Sequence, residues 1–228
     1  MFASLLDLLL PRPCCACDQR LYPWEEQICT LCRMQIPISN YHLDPQNPVA
    51  QIFWGRVRLE QAGCWFIYYK SSRFVKILHR LKYEHRPAIG IALGKLYGYQ
   101  LKHSGVYLLP DIIVPVPLHA KRKRKRGYNQ SEMIARGLGI ALDREVRTDL
   151  LLRTAKTQTQ TNKSRSDRYE NVKGKFKVQK PEELENKHIL LIDDVITTGA
   201  TIEACAEELL SVEGVRISVG ALAHAAKW

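Results

Sequence analysis

Two stretches of this sequence hold side chains at spacings that do chemistry. The first is Cys14-x-x-Cys17 followed, eleven residues later, by Cys29-x-x-Cys32. Each Cys-x-x-Cys turn aims two thiolates at one point, and two such turns complete a tetrahedral four-sulfur site of the kind zinc accepts. All four positions are protein ligands, so the expected ion is structural; a redox pair is the competing reading. A piece of about 25 residues buries too little to fold alone, and the metal would supply its stability. Cys15 offers a rival ligand, but only Cys14 and Cys17 have the right separation. Cys64, in the apolar run 63–69, and Cys205, in an expected helix, read as core residues. Seven cysteines, an odd number, without a secretion signal argue against a disulfide framework and for a reducing cytoplasm.

The second stretch is His188-Ile-Leu-Leu-Ile-Asp-Asp-Val-Ile-Thr-Thr-Gly-Ala-Thr201. An apolar strand ends in two acids, Asp193 and Asp194, and a turn of Thr197, Thr198, Gly199, Ala200 and Thr201 opens a helix. Backbone N–H groups at a helix N-terminus bind phosphate, aided by the positive end of the dipole. Gly199 lets the backbone approach closely, and the three threonine hydroxyls can donate to phosphate oxygens. The carboxylates can accept from two neighbouring hydroxyls of a ribose, or help hold a hydrated Mg²⁺. A plain strand–turn–helix with a threonine cap explains one Thr and one Gly, but not two acids at an apolar strand end. The stretch is not a Walker A loop, because it has no Gly-Lys-Thr or Gly-Lys-Ser.

Charge adds a third signal. The chain carries 34 Lys+Arg against 23 Asp+Glu, a formal +11, which favours anionic partners such as nucleic acid, phosphorylated metabolites or a membrane surface. Six of the cations are consecutive, Lys121–Arg126. They neutralise a ligand's pyrophosphate, track nucleic-acid phosphates, or form a solvated loop. Lys82 follows an amphipathic segment and either reaches the same pocket or snorkels at the surface. None of the seven histidines has metal-ligand spacing.

The elements that must position these groups follow from periodicity. Residues 61–69 read as a strand, and Ser71–Lys82 and Pro87–Leu101 as helices. Asp111–Pro117 reads as a short buried strand running into a loop, Asn129–Leu142 as a helix and 149–152 as a short strand. A strand at His188–Asp193, a helix at Gly199–Leu210 and a strand at Val215–Ala223 complete the set. Strands alternating with helices imply an α/β fold, a mainly parallel sheet with helices on both faces, and ligands then sit at the carboxyl ends of the strands. Pro37, Asn40, Pro45, Asn47 and Pro48 give residues 37–50 linker composition. The expected division is 1–47, an N-terminal helix and metal module, and 48–228, the larger unit. Residues 1–10 read as a short docking helix ended by Pro11 and Pro13, not as a signal peptide, and no apolar run reaches the roughly 18 residues that span a bilayer.

An apolar strand, two acids and a Thr/Gly loop resemble the 5-phosphoribosyl-1-pyrophosphate (PRPP) motif of type I phosphoribosyltransferases. The likeness is closer still to the ComF family of competence-associated proteins. It covers the four cysteines, Leu81-Lys82-Tyr83, Val114-Pro-Val-Pro117, Arg126-Gly-Tyr-Asn-Gln130, Thr157-Gln158 with Arg165, Arg168 and Asn171, and the loop itself. The resemblance implies the type I phosphoribosyltransferase fold with an N-terminal double zinc ribbon. Asp193 and Asp194 would face the ribose 2- and 3-hydroxyls, Thr197–Thr201 would cradle the 5-phosphate, and Val116 and Pro117 would meet pyrophosphate through backbone groups. Arg126 would be the functional member of the basic run. Residues 154–170 would form a hood that closes over the site, although a linker has the same composition. The implied reaction displaces pyrophosphate from C1 of PRPP with Mg²⁺; the acceptor is undefined, and no Ser-His-Asp or Cys-His constellation is required. The alternative implied by the competence association is a non-enzymatic accessory protein that binds single-stranded DNA, with the pocket holding a 5-phosphate and the zinc module meeting a helicase-type partner. Tyr128 is the clearest aromatic beside the basic run, so a base-stacking platform is not evident.

Overall fold

The computed structural model describes residues 12–69, 71–154 and 174–225. The expected helix at 1–10, and all of the expected hood except Thr154, lie outside the described residues. Helix α1 (Thr30–Gln35) closes the four-cysteine module, and α2 (Pro48–Gln51) leads to strand β1 (Gln61–Tyr68). Helices α3 (Val75–Tyr83) and α4 (Pro87–His103) then precede β2 (Ile112–Pro115). Next come α5 (Ala120–Arg126), α6 (Gln130–Leu142) and β3 (Glu145–Val146). Strands β4 (Leu151–Arg153) and β5 (Phe176–Val178) pair antiparallel as a separate ribbon. Strand β6 (His188–Ile196), α7 (Ala200–Leu210) and β7 (Arg216–Ala225) complete the order.

The main sheet is parallel throughout, in the order β1-β7-β6-β2-β3. Its central strands are apolar on both sides, as a sheet covered on both faces requires. Along β6, Leu190 and Ile192 join the core under α3, α4 and α6, while Ile189 and Leu191 join the core under α2 and α7. Helices α4 and α6 touch backbone to backbone. A Cβ at Gly94 would stand 2.2 Å from the Ile134 carbonyl oxygen, and one at Gly137 would stand 2.2 Å from that of Ile91. From β2 the chain winds outward to β3, and from β6 it winds the other way to β7, so the order reverses between β2 and β6. The crevice at the carboxyl ends of two strands that part in this way is where open α/β sheets bind ligands.

Two expectations change. The segment 37–50, linker-like in composition, is folded onto the edge of β1. Ile38 bridges to Phe66, and the Ser39 N–H donates to the Trp65 carbonyl at 2.9 Å. Buried Asn47 fastens it: its Nδ2 donates to the carbonyls of Tyr41, Asp44 and Ala62, and its Oδ1 caps α2. The basic run is helical, not a loop. Lys and Arg are good helix formers, His119 caps the first turn through Nδ1, and Gly127 ends the helix at φ +78°. Apolar periodicity gave no hint of it because α5 buries no residue.

Candidate functional site

At the four-cysteine module, the sulfurs of Cys14, Cys17, Cys29 and Cys32 all lie within 4.8 Å of one another. Cys17 Sγ and Cys29 Sγ are 3.7 Å apart, close to the roughly 3.8 Å edge of a tetrahedron with metal–sulfur bonds of about 2.3 Å. The Cys29 and Ala16 N–H groups donate to Cys14 Sγ, and the Cys32 N–H donates to Cys29 Sγ, as sulfurs carrying negative charge favour. The group can therefore hold a metal ion. Cys15 is not one of the four. It is buried in the shared core, as are Cys64 and Cys205 in theirs.

At the sheet's carboxyl end the chain gathers residues from far apart in sequence. The Val116 N–H donates to the Ile192 carbonyl at 2.8 Å, which sets Val116 and Pro117 beside Asp193. The turn Arg126–Ser131 is the hub. Buried Asn129 caps α6 through Oδ1 and donates Nδ2 to the Val116 carbonyl at 2.9 Å. Ser131 Oγ donates to Asp193 Oδ1 at 3.0 Å, and the Tyr128 hydroxyl donates to the Leu81 carbonyl. Arg126 Nη1 donates to Gln130 Oε1 at 2.8 Å, and its guanidinium lies 5.5 Å from the Tyr83 ring centre. Lys82 Nζ reaches Asp194 Oδ1 at 3.1 Å, so this lysine turns into the site and does not snorkel at the surface.

Beyond the acids, β6 runs on to Ile196, three residues further than apolar character alone suggests. Thr197 is exposed, Thr198 and Thr201 are half-buried, and Gly199 and Ala200 are buried. Gly199 takes φ +77°, and a Cβ there would stand 2.6 Å from Ile52 Cγ2 and 2.8 Å from Phe53 Cε1. Glycine is thus required twice, for conformation and for space. It cannot cap α7 with a side chain, and the N–H groups of the first turn have no acceptor within the helix. The loop therefore presents donors at the helix's positive end.

Burial, followed by the neighbouring Asp194 charge, raises the Asp193 carboxyl to about 6, against the opposing pull of the Asp194 N–H, Ser131 and Lys82. Burial works against the Lys82 ammonium, but Asp194 and Asp193 outweigh it and raise its pKa. The site is an acidic pair held beside a fixed cation, an arrangement able to receive a polyhydroxylated anion.

The basic run divides by face. Arg122 and Arg126, one turn apart, are half-buried, while Lys121, Lys123, Arg124 and Lys125 are exposed. Sequence reasoning missed Arg153, on β4 at the root of the segment 154–170. Its guanidinium stands 5.2 Å from the Phe176 ring centre, and burial and then the Arg122 charge lower its pKa. A three-residue strand offers no pattern to reveal it. The role of Asn129 was missed as well, although an Asn just before a periodic segment is a capping signal.

A sequence model of the phosphoribosyl transferase domain matches residues 124–227, the span from α5 to the end of β7. The DNA utilization protein YhgH of Escherichia coli K12 is 33% identical over 150 residues, 64% of this chain and 65% of that protein. Competence protein F of Haemophilus influenzae is 28% identical over 222 residues, covering 93% and 96% of the two chains. The competence protein ComFC of Bacillus subtilis is 28% identical over 214 residues, covering 90% and 81%. These similarities support a ComF-family, phosphoribosyltransferase-like protein. The chain has a phosphoribosyltransferase-type fold, and its four-cysteine group lies in the N-terminal part that the domain match leaves out. Among the described residues, no helix is long and apolar enough to cross a membrane.

Proposed function

We propose that this ComF-family chain binds PRPP, or another sugar 5-phosphate of that kind, with Mg²⁺, in the crevice between β2 and β6. The observation that carries the reading is the juxtaposition at the switch in strand order. Adjacent carboxylates lie near the end of a central strand, a glycine-pinned loop opens α7 beside them, and Val116 and Pro117 lie alongside. In this reading Asp193 and Asp194 meet the ribose hydroxyls and supply the oxygen donors that Mg²⁺ takes. The loop 197–201 receives the 5-phosphate. Lys82, Arg126 and the backbone at Val116 and Pro117 face the pyrophosphate, where cations stabilise charge on a leaving group. Mg²⁺, when bound, would share that task. If the chain turns its ligand over, an acceptor nucleophile forms a bond to C1 as the C1–oxygen bond to pyrophosphate breaks. Positioning and electrostatics would then supply the catalysis.

The metal of the N-terminal module is proposed to be zinc, held by Cys14, Cys17, Cys29 and Cys32 in a structural role. Residues 1–47 form that module, and 48–228 the phosphoribosyltransferase-like unit, of a cytoplasmic protein of DNA uptake, in keeping with the competence names of its relatives. A second reading rests on α5, whose exposed cations suit nucleic-acid phosphates. In it the pocket holds the 5-phosphate of single-stranded DNA for an accessory protein that meets a helicase-type partner.

Calorimetric titration of PRPP with Mg²⁺ into the wild type and the Asp193→Asn/Asp194→Asn variant tests the first reading. Binding that the variant loses supports it. A folded, metal-loaded wild type that ignores PRPP overturns it, and 5-phosphorylated single-stranded DNA, titrated at several salt concentrations, then tests the second.

A further inference from the structure

Helix α3 carries four consecutive residues, each with partners of its own. Arg80 Nη1 donates to the Cys14 carbonyl at 2.7 Å, and its Nη2 pairs with Asp18. The Leu81 carbonyl accepts from Tyr128, Lys82 pairs with Asp194, and the Tyr83 ring lies under Arg126. Residues two apart on a helix point roughly 200° away from each other, so Arg80 faces the metal module while Lys82 faces the sheet end. Lys76 adds a second tie to Asp18 at 3.0 Å. Just past the helix, Arg86 donates to the Pro13 carbonyl and to Gln27 Oε1. Beneath these polar links, Leu21, Ile28 and Cys32 of the module share one apolar core with Phe74, Ile77, Leu78 and Leu81.

We infer that α3 is a strut through which the four-cysteine module fixes Lys82 against Asp194, with Arg80 as the positioning residue. For ligand affinity this rests on the phosphosugar reading of the site; for the ion pair it rests on geometry alone. Arg80 is suited to the task because a guanidinium meets a carbonyl and a carboxylate together in fixed directions, which an ammonium does not. Its side chain is only 12% exposed, against 49% for Asp18, so solvent screens the pair with Asp18 more than the bond to the buried Cys14 carbonyl.

The test needs no ligand. In the metal-loaded full chain, Lys82 is acylated with an amine-reactive reagent and its rate read by mass spectrometry. Lys180, paired with Asp149 far from α3, serves as the internal reference. Arg80→Gln raises the Lys82 rate about fivefold over Lys180, the response to a weakened partly buried ion pair. Asp18→Asn, which cuts the same link from the module side, shifts it in the same direction. Equal acceleration of both lysines means general loosening and overturns the strut; so does an unchanged Lys82 rate in a variant that melts as a folded protein. A second arm titrates PRPP with Mg²⁺. Arg80→Gln weakens binding about tenfold in the wild-type background but not further in Lys82→Gln, because residues acting through one another are not additive. Additive losses overturn the route through Lys82. Failure of the wild type to bind PRPP strikes the phosphosugar reading alone, and the acylation arm still decides the strut.

Discussion

The four-cysteine module and the crevice between β2 and β6 solve opposite problems. The module draws its four sulfurs from 19 consecutive residues, Cys14 to Cys32, and its geometry is set by two short turns. The crevice draws on Leu81–Tyr83, Val116, Asn129–Ser131 and Asp193–Asp194, joined by bonds such as Ser131 to Asp193 across 62 positions. A metal site needs ligands at fixed distances and little else. A pocket for a charged sugar needs a rigid sheet end, and only a folded domain supplies one. Local chemistry is therefore purchased with cysteines, and distributed chemistry with hydrogen bonds between loops.

The sharpest way to break this contrast is to remove the proposed zinc. Chelation, or Cys32→Ser, should lower the melting temperature by roughly 10 °C or more, because structural zinc supplies much of a small module's folding free energy. Calorimetry with metal analysis checks it; a melt unchanged after metal loss would show that the shared core suffices. Next in size, Asp193→Asn/Asp194→Asn should weaken PRPP binding roughly 100-fold, about 2.7 kcal/mol, while the metal content stays at the wild-type value. Equal loss of metal would join the two regions more tightly than their geometry does. Gly199→Ala should then cost about 2 kcal/mol in denaturant unfolding, since the new methyl meets Ile52 and Phe53 and the backbone is held at positive φ. A neutral result would mean that the loop can shift aside.

Much of this division could be read before any coordinates. Alternating strands and helices gave the parallel sheet, and the paired cysteines gave the module. Asp193 and Asp194 stood out as acids on an apolar strand. What stayed hidden was pairing at long range. Nothing local says that Ser131 meets Asp193, or that Lys82 leaves the surface for Asp194. Helix α5 was hidden for another reason: with no buried face, it rests on propensity and caps rather than on apolar period. Arg153 sits on a strand too short to have a pattern, and composition cannot distinguish a linker from a strap fastened by one buried Asn47.

The smallest effect concerns pH. Asp193 holds its proton in the fold up to about 6, above its ordinary value of 3.8. Between about pH 4 and 6 the folded chain binds more protons than the unfolded one, so this group's contribution is full below that window and is lost as pH rises through it. Asp193→Asn cannot ionise. Its stability relative to wild type should therefore climb across the same window and level off above it. Parallel melting curves from pH 4.5 to 7.5 check the slope; a variant that loses stability relative to wild type as pH rises would reverse the assignment.

The backbone contact between α4 and α6 has a consequence for motion. Two helices in touch at Gly94 and Gly137 have no side-chain cushion between them to compress, so that flank of the crevice moves as one stiff body. With α3 held by its polar ties, compliance falls to the thin β4–β5 ribbon, which pairs over three residues. A ligand seated in the crevice would rest against a wall that does not yield.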